Sequence, residues 1–174
     1  MGNMPLKNIK KITGQLIVML CLFSAVSKAQ ITVNGTGSYA TITAAIAAAS
    51  AGDVIQVPAG IYNENPDINK SLKLRGAQWG NCALSRTGAE TVISCPNGIG
   101  VNASNVTIDG FTIQDQDGAN AALAPGFGFA VYMVPPNTGT QLLNNIIRNN
   151  TLGTGLSNAG SFPAQVNINC NWYD

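Results

Sequence analysis

The chain has no histidine, and only a tenth of its 174 residues carry a charge. Without histidine the commonest general base of hydrolytic enzymes is missing. With no Cys-x-x-Cys pair either, the sequence argues against a zinc site. Basic runs are also lacking beyond residue 29. Beyond Lys28 the basic residues are Lys70, Lys73, Arg75, Arg86 and Arg148, against eight acidic ones, a formal charge of −3 for residues 30–174. Nucleic acid and anionic membrane surfaces are therefore excluded as partners. There is no long hydrophobic run. The apolar stretch from Leu16 to Phe23 falls well short of the ~20 residues that span a bilayer. What remains is rich in Gly and Asn, a composition that suits stacked turns better than a solvated helical surface.

The N-terminus reads as an export leader. Lys7, Lys10 and Lys11 precede the apolar run, and Ser27-Lys28-Ala29 offers small residues for cleavage before Gln30. Residues 1–29 are expected to be the signal peptide and 30–174 the mature domain, secreted or extracytoplasmic, with no membrane span. A lipoprotein reading through Cys21 is disfavoured by Leu20 before it.

The most informative stretch runs from Tyr39 to Gly76. Ile42, Ala45, Ile46 and Ala49 fall at i, i+3, i+4 and i+7, one apolar helical face. Thr41 supplies an N-cap oxygen, and Gly52 can take the left-handed position that ends the helix. Val54–Val57 and Ser71–Leu74 then read as short strands bounded by Pro58-Ala59-Gly60 and Gly76. No helix separates them, which argues against a doubly wound sheet. Later strands are expected at Thr91–Ser94, at Val106–Gln114 with a bend at Asp109-Gly110, at Ala130–Val134, at Leu143–Asn150 and at Gln165–Cys170. Ile55, Leu74, Ile93, Ile113 and Tyr132 recur about every twenty residues, the mark of a solenoid.

The pattern Tyr39…Thr41-Ile42…Ala45-Ile46…Ala49…Gly52-Asp53…Ile55…Val57…Gly60…Tyr62…Glu64…Ile68…Lys70…Leu72…Leu74…Gly76 resembles the N-terminal signature of pectin-lyase-like right-handed parallel β-helix proteins, above all their uncharacterised secreted and NosD-type members. The resemblance covers roughly a quarter of the chain. It implies an all-β, right-handed parallel β-helix with a short N-terminal capping α-helix. Asn169–Asp174 follows an apolar strand with no covering element, so the expectation is a chain lacking its C-terminal rungs.

Several residues are candidates for chemistry. Asp115 and Asp117 lie two apart, on one face of an extended strand. With Asp109 they could hold calcium, the one cofactor indicated, or work as acid and base on a glycosidic bond. The competing reading is a polar turn. Arg148 is the candidate for the basic residue that lyases of the family place beside a uronate; the alternative is a pairing arginine. Trp79, Phe127, Phe129, Tyr132, Trp172 and Tyr173 could stack on sugars or pack in the core. Asn144, Asn145, Asn149, Asn150, Asn167 and Asn169 read as turn and ladder residues, the alternative being a sugar contact. Lys70, Lys73 and Arg75, with Glu64 and Asp67 nearby, read as solvated edge charges, the alternative being an anion site. Cys82 and Cys95, on neighbouring expected rungs, are the candidate disulfide, which leaves Cys170 unpaired; the alternative is three small buried apolar residues.

The paired-Asp motifs of polygalacturonases and the catalytic motifs of methylesterases are absent. The expected function is therefore a secreted carbohydrate-binding or structural surface module, with polysaccharide as the partner. The alternative is a lyase or hydrolase of acidic polysaccharides such as pectin or alginate. A NosD-like part in metal-centre assembly finds no soft-metal ligand cluster to support it.

Overall fold

The computed structural model describes residues 29–94, 96–114, 130–134, 137–149, 156–158 and 167–173. Nearly all of the expected leader lies outside them. The described part opens with β1 (Ile31–Val33) and β2 (Thr36–Tyr39), an antiparallel hairpin turning on Asn34-Gly35. Both turn residues have positive φ, 50° and 73°. This mirror-image turn matches the twist of a two-residue hairpin, and Asn-Gly adopts it most readily.

Helix α1 (Ile42–Ala48) follows. Thr41 Oγ1 accepts the Ala44 N–H at 3.0 Å, and Ile42, Ala45 and Ile46 form the buried face. Its C-terminal end differs from expectation. Ala49 is already extended, and Gly52 takes its left-handed conformation only in the turn beyond, at φ 92°. Two charges hold this short helix. The Glu64 carboxylate accepts the backbone N–H groups of Ile42 and Thr43 at 2.8 and 2.9 Å. Lys70 Nζ donates to the carbonyls of Ile46, Ala47 and Ala49 at 2.9, 3.0 and 2.7 Å. An anion at the N-terminal end and a cation at the C-terminal end complement the helix dipole and satisfy its orphan groups. Glu64 and Lys70 are thus helix caps rather than solvated edge charges. Asp53 accepts from Ser50 N and Asn34 Nδ2, each at 2.7 Å, joining the hairpin turn to the exit of α1. These bonds, Ser50's first, hold its carboxyl below the usual carboxylate range.

The remaining elements are β3 (Val54–Gln56), β4 (Gly60–Tyr62), β5 (Asp67–Ile68), β6 (Lys73–Arg75), β7 (Thr91–Ser94), β8 (Ile99–Val101), β9 (Thr107–Asp109), β10 (Phe111–Gln114), β11 (Val131–Met133), β12 (Gln141–Leu143), β13 (Ile146–Arg148), β14 (Leu156–Asn158), β15 (Asn167–Asn169) and β16 (Trp172–Tyr173). They assemble three sheets. The seven-stranded sheet has the order β15-β12-β9-β6-β3-β1-β2, the five-stranded sheet β16-β13-β10-β7-β4, and the four-stranded sheet β14-β11-β8-β5. Register places like on like. Ile55, Leu74, Ile108 and Leu142 stack in the first sheet, and Ile93, Ile113 and Ile147 in the second. Ile68, Val101 and Met133 stack in the third. These residues are buried and belong to one core, which the three sheets enclose. Alternate residues face outward, as a period of two requires.

The expected all-β right-handed parallel β-helix is corrected here. The class is mixed α/β with parallel and mixed sheets, 6% helix and 41% strand, and no solenoid is identified among the described residues. Strand β1 runs antiparallel to both β2 and β3, which makes the largest sheet mixed. Helix α1 contributes its own apolar face to the core. The twenty-residue series does not follow one stack either. Leu74 stacks on Ile108, not on Ile93, and Tyr132 is registered with Gly100 in the four-stranded sheet. The series jumps between sheets, so its constant period is not a structural repeat. No helix among the described residues is long and apolar enough to cross a membrane.

Candidate functional site

The corner between the seven- and five-stranded sheets gathers Asp109, Arg86, Glu90 and Asn144. There the loop 77–90 leaves the path between β6 and β7. Gly76 and Gly110 make the corner tight enough to receive it. A Cβ on Gly76 would lie 2.3 Å from the Gly110 carbonyl oxygen, and one on Gly110 would lie 2.1 Å from Trp79 N. Gly110 also has φ 79°, a conformation that L side chains disfavour.

Asp109, at the end of β9, is buried, and its Oδ1 accepts Gly80 N at 3.1 Å and Asn144 Nδ2 at 2.7 Å. It fastens the loop to the corner. Arg86 does the same from the other side. Its guanidinium, with a side chain 1% exposed, pairs with both oxygens of Glu90 at 3.0 and 2.8 Å. It also donates to the carbonyls of Phe111, at 2.9 Å, and Asn144. Burial holds the Arg86 pKa below its usual value, and the Glu90 carboxylate offsets this only in part. The sequence reading missed this pair, although opposite charges four residues apart inside a loop were a visible signal.

Cys82 is bonded to Cys170, with Cα atoms 5.1 Å apart. This corrects the expected Cys82–Cys95 pair; Cys95 lies outside the described residues. The cause is the placement of the loop. Ala83 N donates to the Cys170 carbonyl at 3.1 Å, so the Cys82 end of the loop lies against the turn between β15 and β16.

The other candidates separate. Asp115 and Asp117, with Phe127, Phe129 and Asn150, lie outside the described residues. Arg148 ends β13 in the five-stranded sheet, and its Nε donates to Gln114 Oε1 at 2.9 Å, straight across the ladder. Asp109 belongs to the seven-stranded sheet. No group of three or more metal-ligating side chains comes together among the described residues.

The asparagines divide by role. Asn144 and Asn149 take left-handed φ. Buried Asn145 accepts Phe111 N at 3.0 Å and donates to the Ile108 carbonyl at 2.9 Å. Asn171 repeats this against the next layer, accepting Asn145 N and donating to the Leu142 carbonyl, both at 2.7 Å. The Asn145 and Asn171 amides therefore bond backbone groups of the neighbouring layer, and the Asn144 amide bonds the Asp109 carboxylate.

Of the aromatic candidates, Tyr132 is partly buried, and Trp79, Trp172 and Tyr173 are exposed. The Arg75 guanidinium lies 4.2 Å from the centroid of the Trp79 ring, a cation–π contact. Next to Trp79 in sequence is a shallow cleft lined by Gln78, Asn81, Ser85, Arg86 and Thr87. No family model, curated protein or solved structure matches the chain.

Proposed function

We propose that the chain is an exported, non-catalytic surface module that binds carbohydrate or serves as a structural surface. The observation that carries this reading is the engagement of Asp109 and Arg148. Each is committed to a hydrogen bond that holds the fold, and the two belong to different sheets. A general acid or base must instead reach a reacting proton. The Cys82–Cys170 bond is the kind that persists in an oxidising compartment and supports export.

The test is incubation of residues 30–174 with pectic, alginate and neutral glycans, with and without calcium. Both the absorbance of unsaturated products and retention on the immobilised glycans are followed. Retention without new absorbance is expected. New absorbance that disappears in Asp115→Ala or Arg148→Ala would replace the module with a lyase.

A further inference from the structure

Resting on the binding reading above, the geometry points to the loop 77–90 as the binding site itself. Trp79 is a stacking platform for the C–H face of a pyranose ring, and the adjoining cleft takes the ring's hydroxyls. Nearly half of Trp79 is exposed, 45%, yet the residue is held from several sides. Its N–H donates to the Gly76 carbonyl at 3.3 Å, and the next N–H, of Gly80, is bound by Asp109. The Arg75 guanidinium occupies part of its ring surface. The Cys82–Cys170 bond and the Arg86–Glu90 pair fasten the rest of the loop. An exposed aromatic on a fixed mount offers a large apolar area with little ordering cost on binding.

The cleft supplies the second half of the site. Ser85 and Thr87 are exposed, and their hydroxyls have no hydrogen-bond partner among the described residues. Asn81 gives its side-chain N–H to Gln78 Oε1 at 3.3 Å, which leaves its own amide oxygen as an acceptor. Hydroxyl and amide groups both give and take hydrogen bonds, as sugar hydroxyls do. The one cation in the cleft wall, Arg86, is neutralised by Glu90. With Arg86 paired and Arg75 stacked on the Trp79 ring, recognition runs through ring faces and hydroxyls rather than through a sugar's charge.

Residues 30–174 titrated with cellohexaose, laminarihexaose and mannohexaose, followed by calorimetry and tryptophan fluorescence, test this. At least one should bind with a fluorescence change and with an affinity that varies less than twofold between low and high salt. Trp79→Ala should weaken binding by about tenfold or more. Trp79→Phe, which keeps a flat ring and also controls for folding, should restore most of it, and Trp172→Ala should leave it unchanged. Equal affinity in Trp79→Ala would overturn the site while leaving the binding reading intact. So would binding confined to salt-sensitive uronate oligosaccharides. No binding of any glycan by the unaltered chain would overturn the carbohydrate reading and the site together.

Discussion

Backbone proximity at single residues sets the strictest limits on this chain, and Gly110 shows how. Its left-handed φ and the 2.1 Å approach of Trp79 N to any added Cβ are separate obstacles. Gly35 offers the comparison, because it has similar φ, 73°, and nothing within 4 Å of an added Cβ. Gly35→Ala should cost about 1 kcal/mol, the strain of the left-handed conformation alone. Gly110→Ala adds a clash with backbone that cannot swing away, and should cost about 3 kcal/mol or more. Urea unfolding of the two variants measures the difference; equal losses would mean that the corner relaxes. The sequence announced a bend at Asp109-Gly110. It could not announce the close approach, because the atom that forbids a side chain comes from Trp79, in a different segment.

At the scale of elements, helix α1 depends on residues outside itself. Seven residues are too few to be stable from propensity alone. The carboxylate of Glu64 and the ammonium of Lys70 meet its two ends from the segment after β4. Lys70→Met should destabilise the protein by about 1–2 kcal/mol, since three carbonyls at the negative end of the helix lose their donor. Lys73→Met, on the exposed face of β6, should stay within about 0.5 kcal/mol. Thermal melts of both variants decide; equal shifts would return Lys70 to the status of a surface charge. The helix itself was legible, with its apolar face and Thr41 cap, because both signals are local. Its charged caps were not, because residues more than twenty positions away supply them. The Asn34-Gly35 hairpin is the opposite case, because its dipeptide signal is local. The strands β4, β5 and β8 escaped for another reason. They contain Gly60, Asp67 and Gly100, residue types that are depleted in strands.

Across the whole molecule, the loop 77–90 ties together layers far apart in sequence. Asp109 and the Phe111 carbonyl anchor it at one level, and the Asn144 carbonyl anchors it at the next. Cys170 anchors it one level further on. Spacing alone favoured Cys95 as the partner of Cys82, since sequence neighbours are usually spatial neighbours. The inserted loop breaks that rule by folding back over the corner. The disulfide closes a separation of 88 residues, so its removal should release about 3–5 kcal/mol of constraint on the unfolded chain. Its effect on the native state should be more local. Reduction cuts the covalent tie to the turn between β15 and β16, but Arg86 and Asp109 still hold the loop. Hydrogen exchange after mild reduction should therefore quicken at residues 167–173 and leave 77–90 protected, as expected when one cooperative unit loosens before the rest. Exchange that quickens across both segments together would show that the disulfide, and not the buried Arg86–Glu90 pair, fixes the loop. Peptide mapping without reductant should recover Cys82 joined to Cys170, and a Cys82–Cys95 peptide would reverse the placement of the loop altogether.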